Sequence, residues 1–177
     1  MRNNAINRRT DNLILPASTN TLGRISIGNF VLRNQNIGSC FWGQNIAGSL
    51  NWGEFNIGIG TNSLNNLTIG SFNLSIGDRS LRNITSNSWN IGIGANTLED
   101  LTGGNGDFNI ALGARALEGL QSGNRNIGIG RNITIGLFEG SHNIFIGDQV
   151  GALFNGGDHN ILIGYRAGWQ YGTGQNS

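Results

Sequence analysis

A five-residue motif, N-I-G-I-G at residues 56–60, returns down the chain at near-constant intervals, and any fold for this sequence has to respect that register. Close variants stand at 73–77, 90–94, 109–113, 126–130, 143–147 and 160–164, and two degenerate copies precede them at 24–28 and 39–43. The closing glycines, from Gly28 to Gly164, follow one another at intervals of 15, 17, 17, 17, 19, 17, 17 and 17. A regular period that covers nearly everything after Leu22 marks a stack of like units, each too small to bury its own apolar face.

Counted from the closing glycine, each unit has a fixed pattern. The third position is small or β-branched (Ile46, Ser63, Ser80, Thr97, Ala116, Ile133), and the fourth is leucine at Leu32, Leu64, Leu81, Leu98 and Leu117. The seventh is apolar from Leu50 and Leu67 onward, and the tenth is glycine at Gly38, Gly53, Gly70, Gly104, Gly123, Gly140 and Gly157, with Asn87 the exception. Asparagine tolerates a positive φ, so a left-handed turn is expected at the tenth position. Alternation within the motif puts Ile57 and Ile59 inside and Gly58 outside. Glycine corners this close together leave no room for a helix of any length. The expectation is an all-β fold, a parallel β-solenoid of about nine 17-residue coils over residues 24–177. Residues 1–23 lie outside the repeat and read as an arm, with an adjacent pair Arg8 and Arg9 and a short apolar run Leu13, Ile14, Leu15 before Pro16.

Composition narrows the partners. All eleven basic residues are arginine, set against ten acids, for a net charge of +1, and no basic cluster of the nucleic-acid-binding kind survives that balance. The start has no apolar secretion-type core and no apolar run is long enough to cross a bilayer, so neither Sec export nor membrane insertion is expected. The single cysteine, Cys40, sits at an apolar repeat position and reads as a small buried hydrophobe.

The pattern N-I-x-I-G-x-x-A-L-x-x-L-x-x-G-x-x-N-I, clearest over residues 109–127, resembles the glycine-asparagine repeats of bacteriophage tail fibres. More loosely, it is similar to the heads of trimeric autotransporter adhesins, whose repeats are shorter. The resemblance implies a non-enzymatic homotrimeric surface fibre without cofactor. With no coiled-coil stalk or membrane anchor in view, it points to a virion component on the tail or capsid surface. The arm would then attach to other virion proteins. A capsid decoration or cement protein is the alternative. Left-handed β-helix acyltransferases repeat aliphatic residues and glycines too, but on a period of six, of which 17 is not a multiple. Ice binding would call for a threonine ladder, and threonine holds no repeat position along the whole chain.

Two columns are candidate sites. Phe55, Phe72, Trp89, Phe108, Arg125, His142 and His159 each precede a motif asparagine, and a repeating fold stacks them on one line. Such a ladder serves subunit packing or stacks the sugar rings of a host-surface glycan. His142 and His159 alone form too thin a set for a metal, and no metal site is expected. The strand centres Gly58, Ser75, Gly92, Ala111 and Gly128 form a small-residue column open to close approach by another backbone, giving way to Phe145 and Leu162. The motif asparagines should form an amide ladder along the axis. Exposed stripes of this length suggest an interface between copies of the chain, and the fibre resemblance implies that it is a parallel homotrimer.

Overall fold

A computed structural model describes residues 24–27, 30–33, 38–136, 138–152 and 154–169. From residue 39 onward each copy of the motif forms a three-residue strand, because alternating apolar residues fit a pleated sheet and the glycine that follows ends it. In chain order the strands are β1 (Arg24–Ile27), β2 (Phe30–Arg33), β3 (Cys40–Trp42), β4 (Ile57–Ile59), β5 (Leu74–Ile76) and β6 (Ile91–Ile93). They continue with β7 (Ile110–Leu112), β8 (Leu120–Ser122), β9 (Ile127–Ile129), β10 (Phe138–Glu139), β11 (Ile144–Ile146) and β12 (Ile161–Ile163). Among the described residues every regular element is a strand.

One parallel sheet of eight strands, in the order β12-β11-β9-β7-β6-β5-β4-β3, runs the length of the molecule. Its pairing is in register throughout, Ile57 opposite Leu74 opposite Ile91 opposite Ile110. A parallel β-solenoid of about seven turns results, roughly 34 Å from first strand to last at ~4.8 Å per turn. β8 and β10 add a short parallel pair on another wall.

The count falls short of the nine coils expected, and the N-terminal copy accounts for part of the difference. β1 pairs antiparallel with β2, Ile27 opposite Phe30 and Arg24 opposite Arg33, so these two strands form a hairpin pair instead of a turn of the stack. Gly28 and Gly43 stand two positions closer than a full turn requires, and the repeat positions Val31 and Leu32 fall in the hairpin's second strand. The expected arm, residues 1–23 with Arg8, Arg9, Leu13, Ile14 and Leu15, lies outside the described residues.

The strand phase is the reverse of the expectation. Gly58, Ser75, Gly92, Ala111 and Gly128 are buried and point inward, while Ile57 and Ile59 are 41% and 42% exposed. Phe145 is likewise fully buried, Leu162 packs against the core, and Cys40, in phase with Ile57, is exposed. The cause is volume. Leu64, Leu67, Leu81, Ile84, Leu98, Leu101, Leu117 and Leu120 fill the thin coil from the opposite side and leave no room beneath the strand for more than a methyl or hydroxymethyl group. A Cβ on Gly58 would come within 2.9 Å of Ile46, 3.0 Å of Phe41 and 3.2 Å of Leu64.

The fourth position and the strand centres exchange bulk strictly. Leucine at 64, 81, 98 and 117 is flanked by glycine, serine or alanine centres on both neighbouring strands. Where the centre is Phe145, the flanking fourth positions are Thr134 and Gly151; where it is Leu162, they are Gly151 and Gly168. A Cβ on Gly151 would sit 3.4 Å from the Phe145 ring, and one on Gly168 2.9 Å from Leu162. Between these two positions bulk comes from one wall or the other, while seventh-position residues such as Phe154, edge-on to Phe145 at 5.3 Å, add to it.

Left-handed residues, three to a turn, shape the corners. They stand two and four places after the closing glycine and one place before the motif asparagine. Asn62, Leu64 and Phe72 have φ of 57°, 52° and 60° in one turn, and Arg79, Leu81 and Trp89 have 55°, 50° and 62° in the next. Each such residue costs about 1–2 kcal/mol in isolation, so surrounding bonds must hold it there. They do so in both directions. The Arg79 N–H donates back to Thr61 and the Leu81 N–H donates forward to Thr97, and the same alternation repeats from turn to turn. The tenth position follows no such rule. Its φ is positive at Gly38, Gly123 and Gly157 but not at Gly70 or Asn87, so Asn87 is not there to make a left-handed turn. Glycine fits because the next turn's carbonyl passes close to its Cα, as Gly157 O does at Gly140. In the long turn between Gly94 and Gly113, Gly106 stands at this corner in place of Gly104, its carbonyl accepting from Asn90 Nδ2 as that of Gly70 does from Asn56. A Cβ on Gly104 would meet open space, while one on Gly106 would lie 2.6 Å from Leu101. The two extra residues bulge out between Leu101 and Gly106.

Because Arg79 is exposed and left-handed, Arg79→Gly is expected to raise stability by up to ~1 kcal/mol, a few degrees in melting temperature, whereas Arg79→Val lowers it by ~1–2 kcal/mol. Thermal melts of the two variants check this. Loss of stability in the glycine variant would contradict the strain assigned to this column.

Candidate functional site

Three ladders run parallel to the rod axis, each built by one side chain per turn. The innermost is the amide ladder. Asn56, Asn73, Asn90, Asn109, Asn126 and Asn143 are all buried, and each Oδ1 accepts from both the backbone N–H and the Nδ2 of the asparagine one turn on. The Nδ2 groups also donate to backbone carbonyls at the glycine corner, as Asn56 does to Gly70 at 2.8 Å and Asn109 to Gly123 at 2.9 Å. The degenerate copy keeps the ladder going, since Ser39 Oγ accepts from the Asn56 N–H at 3.0 Å.

A second ladder escaped the reading of the sequence. The residue two places before each motif asparagine carries a side-chain oxygen that caps the backbone N–H one turn below. Ser71 Oγ accepts from Glu54, Ser88 Oγ from Ser71, Asp107 Oδ1 from Ser88, Asn124 Oδ1 from Asp107, Ser141 Oγ from Asn124 and Asp158 Oδ1 from Ser141, at 2.7 to 3.0 Å. Its signal is a column of oxygen-bearing side chains whose identities vary too much to look like a motif.

The third is the column of rings. Phe55 stacks on Phe72 with centroids 5.0 Å apart, Phe72 on Trp89 at 4.1 Å and Trp89 on Phe108 at 5.9 Å, all within 16° of parallel. The Arg125 guanidinium lies over Phe108 at 5.6 Å, and His142 stacks on His159 at 4.9 Å and 4°. The seven residues share left-handed backbone, φ 52° to 62°, which points every side chain out of the same corner. From Phe55 to Phe108 the ring faces are therefore spent on one another and on Arg125, with Gly38 lying against Phe55 at the lower end. Solvent meets ring edges. Sugar stacking needs open faces, so this geometry favours stacking within the chain over stacking of glycans. The histidine nitrogens sit on the rims of parallel rings and do not converge on a point. Among the described residues no group of three or more His, Cys, Asp or Glu could hold a metal ion.

Beside the rings lies the outer face of the eight-stranded sheet. Every outward position from Cys40 to Ile163 is apolar, two columns wide, with Trp42 at one end 56% exposed and Ile161 and Ile163 at the other 66% and 64% exposed. The small-residue column expected on this face is instead the core lining described above.

Charge is gathered on the corner after the closing glycines, where Arg82 meets Glu99 at 3.3 Å and Arg131 meets Asp148 at 3.1 Å across one turn. The Arg131 hydrogen bond holds the Asp148 carboxyl below the usual range. Burial, with the Glu118 charge adding to it, pushes the Asp100 carboxyl up. A shallow polar recess of about 390 Å³, lined by Asn105, Asn124, Glu139, Ser141 and Asp158 among others, flanks the capping ladder.

Fold and ladders together define a parallel β-solenoid repeat protein, its side chains organised in axial columns. No family model, curated protein or solved structure matches the chain.

Proposed function

We propose that this chain is a non-enzymatic structural component of a virion, the body of a short trimeric tail fibre or adhesin-like element attached to the particle through residues 1–23. The observation that supports the reading best is the continuity of bonding along one axis. Each turn is joined to the next by the parallel strand pairs, by corner bonds running both ways and by a buried amide rung. Bending or stretching such a rod breaks many bonds at once, which suits an element that must transmit contact from a surface to a particle. The resemblance of the N-I-x-I-G repeats to phage tail-fibre repeats points the same way. A host glycan, where one is bound, meets ring edges and the neighbouring polar recess.

Negative-stain images of virions labelled with an antibody to this chain test the proposal. Label at the tail is the expected result, label spread over the capsid would reassign the chain to decoration, and unlabelled particles would end the virion reading. Removal of residues 1–23 is expected to leave a folded solenoid that no longer joins the particle.

A further inference from the structure

We propose that the outward face of the eight-stranded sheet is a self-association surface, closed around one axis by the same face of the other copies of this chain. The inference deepens the oligomeric part of the fibre reading and assigns it to a different surface from the ring ladder. Composition is the first support. The face has no polar or charged side chain at any outward strand position from Cys40 to Ile163, although the neighbouring corner carries arginines, aspartates and glutamates. Burial does not explain this, since Ile57, Ile59, Ile93 and Ile129 are 37% to 42% exposed, and Trp42, Ile161 and Ile163 at the ends are more so.

Area comes next. At these exposures the two columns present on the order of 1,000 Å² of apolar surface, more than the few hundred Å² monomeric proteins commonly show and close to the ~800 Å² each partner gives to a standard interface. The geometry also selects the partner. The columns repeat at the inter-strand spacing of ~4.8 Å over eight parallel, in-register strands, so side chains interdigitate along the whole length only with a surface of the same repeat. This chain carries such a surface. Finally, the two other columns weighed for this role engage the chain itself, although the rings keep exposed edges. The rings stack on each other, and the small strand centres line the core.

Light scattering on the full-length protein, with circular dichroism to verify the fold, tests the assignment. Wild type is expected at a multiple of 18.9 kDa. The double variant Ile93→Lys, Ile129→Lys is expected to fall to one chain, its dissociation constant raised at least ~100-fold, because assembly would bury two unpaired charges per copy. Should lysine disturb folding, Ile93→Thr with Ile129→Thr keeps β-branched side chains and is expected to weaken assembly in the same direction. Phe72→Asn, a ladder change at a left-handed position that asparagine accepts, is expected to leave the mass unchanged. Folded face variants that keep the wild-type mass would overturn the inference, and if antibody still labels the virion tail the fibre reading survives that failure. A wild type at the mass of one chain overturns it as well, including one that floats with phosphatidylcholine vesicles and so presents the face to lipid.

Discussion

Asn109→Ala is expected to lower stability by ~3–5 kcal/mol, far beyond the ~1 kcal/mol of an average substitution. The side chain is fully buried and forms one rung of the amide ladder. Its Nδ2 donates to Asn90 Oδ1 and to Gly123 O, and its Oδ1 accepts from the Asn126 N–H at 2.9 Å and the Asn126 Nδ2 at 3.1 Å. Truncation leaves the Gly123 carbonyl and the Asn126 N–H without these partners in a place water does not reach. Asn109→Asp separates hydrogen bonding from shape. The carboxylate still accepts from Asn126 but turns negative charge toward Gly123 O and Asn90 Oδ1, so the ionised form is disfavoured and its folded pKa rises above the ordinary ~3.9. A raised folded pKa gives stability that is fully present below about pH 4 and is lost as pH climbs through the folded value. Urea titrations at acid and neutral pH measure this. If Asn109→Asp costs no more at neutral pH than at acid pH, relative to wild type, the rung does not depend on its donors.

Gly128→Leu is expected to destabilise by ~3 kcal/mol or more, and Leu117→Ala in the same chain to restore part of the loss. A Cβ at Gly128 would lie 2.5 Å from Leu117 Cγ and 2.9 and 3.2 Å from its two Cδ atoms, so overpacking begins with the first carbon. Leu117→Ala alone opens a cavity that costs ~2–5 kcal/mol. The double variant recreates the arrangement of Phe145 between Thr134 and Gly151, and Ala47 shows that alanine is accepted at a left-handed fourth position. A double-mutant cycle should give a favourable coupling of ~1–3 kcal/mol. Strict additivity of the two losses would mean that the core does not exchange volume between its walls.

The periodic features of this fold can be read directly from residues. Closing glycines at a constant spacing locate the strands, and an asparagine recurring one residue before each strand has hardly any role except an axial amide ladder. Strand phase is not legible in the same way. Alternation says that Ile57 and Ile59 share a side, but not which side, and the true core residues Gly58, Ser75 and Gly92 carry almost no apolar signal. The deciding information lies in the fourth-position leucines, Leu64, Leu81 and Leu98, which claim the interior first. The pairing of β1 with β2 is hidden because R-I-S-I-G imitates the motif, and Gly104 stands in for Gly106 because an insertion with two nearby glycines can be aligned either way. The capping ladder mixes Ser, Asp and Asn, residues equally at home in any turn.

The long turn between Gly94 and Gly113 separates two quantities that a protein rarely controls independently. Its two surplus residues leave Ile91 opposite Ile110 and the Asn90–Asn109 rung intact, so they thicken the rod at one level and add nothing to its reach. A surplus of one whole repeat does the opposite, adding ~4.8 Å of reach and no girth. In-frame duplication or loss of a repeat is thus a change of stride with the cross-section preserved, and small insertions at the 101–106 corner can decorate one level of the rod while its length stays fixed.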